Sequence, residues 1–164
     1  MKKILFFDID GTLVYNHKPM SDLVVQGLKK AREKGHLLFL CTGRNIGSIA
    51  HMMEYFDGAV ASAGAYIVVK DKKIYENGFD YQEVKYIQSL FEQYGVMYNL
   101  EGNDCTYSSE GMMHSFMSLI HSDKTNSEID RLIDELSQGQ RIYSVNDYSE
   151  HSSLIKTIPY LCQK

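Results

Sequence analysis

The stretch Lys2–Thr12, with the sequence KKILFFDIDGT, joins an apolar segment to two acidic residues and decides the fold of the chain. Ile4–Phe7 is a continuous apolar run, which predicts a short strand buried on both faces of a parallel sheet. Asp8 and Asp10 follow at once, and Gly11 allows a sharp turn directly after the second acid. Because ligands bind outside the carboxyl ends of strands in open α/β sheets, we expect an active site here.

The two carboxylates need a neutralising partner because like charges so close together repel each other. A shared proton is one solution. A hard cation with oxygen ligands, above all Mg²⁺, is the other. A carboxylate helped by Mg²⁺ can attack phosphorus and form an aspartyl-phosphate. A second carboxylate two residues further on can protonate the leaving oxygen and later activate water. The spacing therefore fits phosphoryl transfer.

Composition and length narrow the classes of function. The 164 residues predict one domain, or one domain with a small insert. The 17 basic and 21 acidic residues give a net charge of −4 without a basic block, so nothing indicates nucleic-acid binding. No apolar stretch has the length of a signal peptide or a membrane span. Cys41, Cys105 and Cys162 form no metal motif, and their spacing is typical of reduced thiols in a cytoplasmic protein.

The first half of the chain alternates predicted strands and helices. Ser21 can cap a helix that ends at Gly35. Residues 36–41 form a second apolar run, residues 45–55 a helix, and residues 58–61 a third strand. This β-α-β-α-β order predicts a Rossmann-like parallel sheet with right-handed crossovers.

A second polar turn, Thr42-Gly43-Arg44, lies where the second predicted strand ends. Thr42 offers a hydroxyl group, and Gly43 lets a backbone N–H approach a phosphate oxygen closely. The helix expected to follow points its positive end at the same place. Two roles are open for Arg44. It can bind a further anionic group of the substrate, or it can form a surface salt bridge.

The pattern changes after about residue 65, which predicts a boundary near residue 78. We expect residues 1–78 to form an α/β core with three strands, and residues 79–164 an α+β insert. The remaining predicted elements are a hairpin at 66–76, a helix at 81–94, a hairpin at 96–108, a helical segment at 111–121, a helix at 127–136, a strand at 141–145 and a tail without clear pattern at 151–164.

Two of these motifs carry a family resemblance. Phe7–Thr12 resembles the first motif of the haloacid dehalogenase-like (HAD) phosphatase superfamily. Cys41–Arg44 resembles the second motif in the form used by the Cof-type sugar-phosphatase branch. Residues 62–65, Ser-Ala-Gly-Ala, stand at the place of that branch's Asn-Gly-Ala segment, with Ala63 where the branch often has Asn.

The resemblance implies a role for each motif residue. Asp8 would be the nucleophile and an Mg²⁺ ligand. Asp10 would be the general acid/base, with its backbone carbonyl on the metal. Thr42 would supply the phosphate-binding hydroxyl. The substrate would be a small phosphorylated metabolite, with sugar phosphates as the family's usual class.

The family also uses a basic third motif and an acidic fourth motif, Gly-Asp-x-x-Asn-Asp in this branch, and the sequence shows neither. Asn146-Asp147 lacks the preceding Gly-Asp, and Lys156 lies in the tail. We therefore expect a truncated chain with an incomplete HAD-like core and a partial cap. Ile4–Phe7 would then form an open apolar edge, which invites self-association.

Two hypotheses remain open. In the first, the chain belongs to an Mg²⁺-dependent phosphomonoester hydrolase that acts through an aspartyl-phosphate, and these 164 residues alone have very weak activity or none. In the second, the chain is an inactive HAD-like relative that acts as a binding or interaction module.

Overall fold

The apolar run Ile4–Phe7 forms strand β1 in a computed structural model that describes residues 1–15, 18–139, 141–149 and 156–159. The chain divides into two units, Met1–Asn77 and Gly78–Lys164. No described helix is long and apolar enough to cross a membrane.

The first unit contains a five-stranded sheet in the order of the sequence. After β1 its strands are β2 Leu37–Cys41, β3 Gly58–Ala61, β4 Tyr66–Val69 and β5 Lys72–Glu76. β1, β2 and β3 run parallel, whereas β4 and β5 are added antiparallel as a hairpin. The predicted α/β class and the parallel β-α-β-α-β order are therefore confirmed, and the hairpin extends the same sheet.

Helix α1, Asp22–Glu33, connects β1 to β2 as predicted. The Ser21 hydroxyl caps it by accepting a hydrogen bond from the Val24 N–H at 3.4 Å. Leu28 is buried on its inner side, in one core cluster with Leu38 of β2 and Ile49. This helix therefore covers one face of the sheet.

β1 is buried on one face, so the prediction of burial on both faces was wrong. Leu5 and Phe7 pack against the core cluster, whereas Ile4 and Phe6 are 56% and 59% exposed. Side chains alternate along a strand, so these two pairs lie on opposite faces of the sheet. β1 is also an edge strand, because the described residues place only β2 beside it. Within the described residues, the predicted apolar run thus lies at the edge of its sheet.

The helix predicted for residues 45–55 is shorter and of another type. The chain forms a 3-10 helix over Gly47–Tyr55. Asn45 precedes it and accepts a hydrogen bond from the Ser48 N–H through its side-chain oxygen at 2.9 Å. This bond is of the kind that an N-cap side chain makes at the start of a helix.

β3 passes very close to its neighbours at Gly58. A methyl group at this position would lie 2.4 Å from the Val68 carbonyl oxygen and 2.5 Å from the Phe39 ring. Only glycine therefore fits here without displacement of the strand or the ring.

The second unit is an α+β arrangement. Its elements are α2 Tyr81–Gln93, β6 Tyr98–Glu101, β7 Cys105–Ser108, α3 Met112–Ile120, α4 Asn126–Gly139, β8 Arg141–Ser144 and β9 Lys156–Pro159. The sheet order is β8-β7-β6-β9, and its core includes Val84, Tyr98 and Leu100. The predicted helices and the 96–108 hairpin are confirmed with small shifts of their ends.

The tail differs from its prediction, because residues 156–159 form β9 and pair antiparallel with β6. As β9 is an edge strand, it tolerates Pro159, which has no N–H to donate. Residues 151–155 and 160–164 of the tail lie outside the described residues.

Candidate active site

A tight turn after β1 presents the first two candidate residues. Asp8 and Asp10 are exposed, while Ile9 between them is fully buried. The Ile9 carbonyl accepts hydrogen bonds from the N–H groups of residues 12–14, at 2.9 to 3.2 Å. Gly11 adopts a φ of 79°, in the left-handed region that favours glycine. The buried side chain and its carbonyl thus anchor a loop that leaves both carboxylates accessible.

The second turn lies at the end of β2, at the same edge of the sheet. Thr42 is buried, and its N–H donates to the Val60 carbonyl at 2.9 Å. Its hydroxyl oxygen accepts a hydrogen bond from the Arg44 N–H at 3.1 Å. Gly43 is exposed between them. The Thr42 hydroxyl therefore has one partner fixed within the turn and keeps a proton to donate.

Arg44 joins the two turns. Its Nε donates to Oδ2 of Asp10 at 3.0 Å, and its Nη2 donates to Oδ1 at 2.5 Å. The two side chains are 34% and 59% exposed, so water screens the pair. A salt bridge, one of the two alternatives for Arg44, is present, and its partner is the candidate acid/base itself. The sequence did not indicate this pairing.

The loop after β3 fixes the position of the second turn. The Ser62 N–H donates to the Arg44 carbonyl at 2.8 Å, and the Ala63 N–H donates to the Thr42 carbonyl at 3.0 Å. Ser62 and Ala63 have φ values of 51° and 53°, a conformation that Asn tolerates better than either residue. The sequence placed this loop near the site but gave no sign that its backbone holds the second turn.

The donor set at the end of β1 fits Mg²⁺. Asp8 and Asp10 offer hard carboxylate oxygens, and Mg²⁺ sites in proteins need only one or two carboxylates beside water and phosphate oxygens. The described residues contain no group of three or more His, Cys, Asp or Glu side chains that could hold a metal by themselves. Because Arg44 contacts both carboxylate oxygens of Asp10, the Asp8 carboxylate is the more accessible ligand.

Comparison with known proteins places these motifs in a family context. A family model described as haloacid dehalogenase-like hydrolase matches residues 5–164. A Bacillus subtilis (strain 168) protein named "Putative phosphatase YxeH" is 25% identical over 100 residues, which is 61% of this chain and 36% of the relative.

Solved structures show the same fold. A hypothetical protein from Geobacillus kaustophilus HTA426 superposes with a TM-score of 0.72 at 18% identity, over 96% of this chain and 57% of the other. The HAD subclass IIB sugar phosphatase BT4131 has a TM-score of 0.59 at 28% identity, over 74% of this chain and 50% of the other. The HAD phosphatase BT1666 from Bacteroides thetaiotaomicron has a TM-score of 0.58 at 27% identity, over 66% and 41%. The chain thus spans between about a third and three fifths of the relatives it matches.

Proposed function

The chain belongs to the haloacid dehalogenase-like hydrolase family, and on this premise we propose that it carries the nucleophile and phosphate-binding side of an Mg²⁺-dependent phosphomonoester hydrolase. Asp8 is the nucleophile and Asp10 the general acid/base. Thr42, Gly43 and Arg44 form the phosphate- and substrate-binding turn. The observation that carries this proposal is the bidentate Arg44–Asp10 contact, which brings the acid/base next to the second turn.

The reaction has two steps. An oxygen of the Asp8 carboxylate attacks phosphorus, the bond between phosphorus and the ester oxygen breaks, and Asp10 donates a proton to that leaving oxygen. Asp10 then takes a proton from water, whose oxygen attacks phosphorus and releases inorganic phosphate and the free Asp8 carboxylate. Mg²⁺, when bound by Asp8 and Asp10, offsets the charge of the phosphoryl group.

The remaining groups bind and orient the phosphate. The Thr42 hydroxyl and the backbone N–H of Gly43 supply donors to phosphate oxygens. Arg44 binds the ionised form of Asp10, the form that activates water in the second step. This contact must loosen before Asp10 can carry the proton that the first step requires.

The substrate is a small phosphorylated metabolite, and sugar phosphates are the favoured class. Support comes from the subclass IIB neighbour, itself a sugar phosphatase, which is 28% identical over 74% of this chain. We place the protein in the cytoplasm, in agreement with the free thiols of Cys41 and Cys105.

The test is the release of phosphate from p-nitrophenyl phosphate with and without Mg²⁺, for the 164-residue chain and for Asp8→Asn. We expect a slow, Mg²⁺-dependent rate that the variant lacks. Equal rates for the two proteins would instead favour an inactive, phosphate-binding relative.

A further inference from the structure

A cavity of about 500 Å³ lies beside the candidate site in the first unit. Its polar lining comes from Lys18, Arg44, His51 and Glu54, and its apolar lining includes Met20 and Met52. A concave site of this size, largely apolar with a few polar groups, is typical of small-molecule binding.

Arg44 connects this cavity to the reaction. It lines the cavity, and its guanidinium group contacts Asp10 at 2.5 Å. In the proposed reaction Asp10 gives a proton to the leaving oxygen, so that oxygen must lie within hydrogen-bond distance of Asp10. The rest of the leaving group can therefore occupy the neighbouring cavity.

The charges in the lining indicate which leaving group fits. Lys18 is exposed, and within the described part of the chain its ammonium group has no hydrogen bond or ion pair. Arg44 is the second cation. Glu54 is the single acid, and its carboxylate lies close enough to the Tyr55 hydroxyl to raise the pKa of that hydroxyl. The charged group of the lining that remains available to a ligand is therefore a cation, the Lys18 ammonium group.

We propose that this cavity is a leaving-group subsite and that Lys18, with Arg44, selects phosphate esters whose leaving group carries a second anionic group beside an apolar part. This inference rests on the proposed function. Both candidate leaving groups carry an anion, either a carboxylate or a second phosphate, that can replace water around the Lys18 ammonium group. Met20 and Met52 supply apolar contact for the carbon skeleton.

The experiment compares inert phosphonates that need no turnover. Binding of phenylphosphonate, 3-carboxyphenylphosphonate and 1,3-phenylenediphosphonate is measured by calorimetry with Mg²⁺ for the 164-residue chain, for Lys18→Gln and for Lys29→Gln. Lys29 lies on α1 outside the cavity and serves as the matched control. We expect the anionic derivatives to bind about three- to fivefold more tightly than phenylphosphonate to the unsubstituted chain and to Lys29→Gln.

Lys18→Gln is expected to remove this preference and to leave phenylphosphonate affinity unchanged. If Lys18→Gln lowers the affinity for one anionic derivative more than for the other, that derivative shows whether the second anion is a carboxylate or a phosphate. If the chain binds phenylphosphonate as tightly as the anionic derivatives, or if Lys18→Gln still prefers the anionic derivatives, the subsite proposal is wrong. Either result would leave the proposed function standing. Failure of all three phosphonates and of inorganic phosphate to bind would overturn the proposed function as well.

Discussion

The guanidinium group of Arg44 contacts both carboxylate oxygens of Asp10, at 3.0 Å and 2.5 Å, across 34 positions of sequence. The pair links the turn after β1 to the turn after β2. It also puts a cation beside Asp10, the residue that the proposal assigns to proton transfer and to Mg²⁺ binding.

Replacing Arg44 is expected to strengthen Mg²⁺ binding, because its guanidinium group puts a positive charge beside Asp10, whose backbone carbonyl is expected to bind the metal, and the two cations repel each other. Arg44→Ala should raise Mg²⁺ affinity about fivefold, the range expected for a half-exposed ion pair. Arg44→Lys keeps the charge but loses the planar two-point contact, so its affinity should be intermediate. Calorimetry at constant ionic strength measures the effect. Unchanged or weaker Mg²⁺ binding by Arg44→Ala would contradict an Mg²⁺ site beside the Arg44–Asp10 pair.

Gly58→Ala is expected to destabilise the first unit strongly. The added methyl group would lie 2.4 Å from a backbone oxygen of β4, which cannot move without breaking the sheet. We expect a loss of about 3 kcal/mol, at the upper end for overpacking. Urea unfolding followed by circular dichroism measures it.

Gly27→Ala is the matched control, because Gly27 lies inside α1 with nothing within 4 Å of the added atom. Alanine is the better helix former, so stability should rise by up to about 1 kcal/mol. A similar loss in both variants would contradict the close approach of β3 and β4.

Much of the first unit could be predicted from the sequence, because short local patterns of residues mark its strands and its first helix. Each parallel strand is an apolar run that ends in a turn, and Ser21 marks the start of α1. A run such as Ile4–Phe7 does not reveal how many of its faces are covered, since that depends on which elements pack against the sheet. For the same reason the two exposed side chains of β1 were missed.

The site was predictable in part. The motif spacing identified Asp8, Asp10 and the Thr42 turn, whereas their roles stay predictions. The Arg44–Asp10 contact and the cavity were not predictable, because they depend on side chains brought together from distant segments. β9 was missed because its pairing with β6 is a long-range contact without a local pattern.

We predict self-association through β1, because one face of this strand is exposed and it lies at the edge of its sheet. Phe6→Lys introduces a charge on an edge strand, a substitution that opposes edge-to-edge pairing. We expect the unsubstituted chain to associate as concentration rises in sedimentation velocity and Phe6→Lys to remain monomeric. Leu23→Lys is the control, because Leu23 is 79% exposed on α1, away from the edge. If this control prevents association equally, β1 is not the surface involved.

The start of α4 should lose stability in acid. The Thr125 N–H and hydroxyl donate to Glu128 at 2.8 Å and 2.7 Å, and they hold the pKa of Glu128 below its ordinary value. A lowered pKa in the folded state stabilises the fold above the unfolded pKa of about 4.3. That contribution is lost as pH falls through the folded value.

Side-chain NMR titration of Glu128 and exchange of the Thr125 amide measure this effect. Glu128→Gln should remove the pH dependence of that amide, whereas Glu135→Gln, farther along α4, should not. An ordinary titration of Glu128 would contradict the capping contact.

The central claim is that Asp8 accepts the phosphoryl group. It is tested most directly by treating the 164-residue chain with excess p-nitrophenyl phosphate and Mg²⁺, quenching in acid and mapping the peptides by mass spectrometry. We predict one phosphoryl group on the peptide that contains Asp8, absent without Mg²⁺ and absent in Asp8→Asn. An unmodified peptide under these conditions, or equal phosphorylation of Asp8→Asn, would contradict the proposed mechanism.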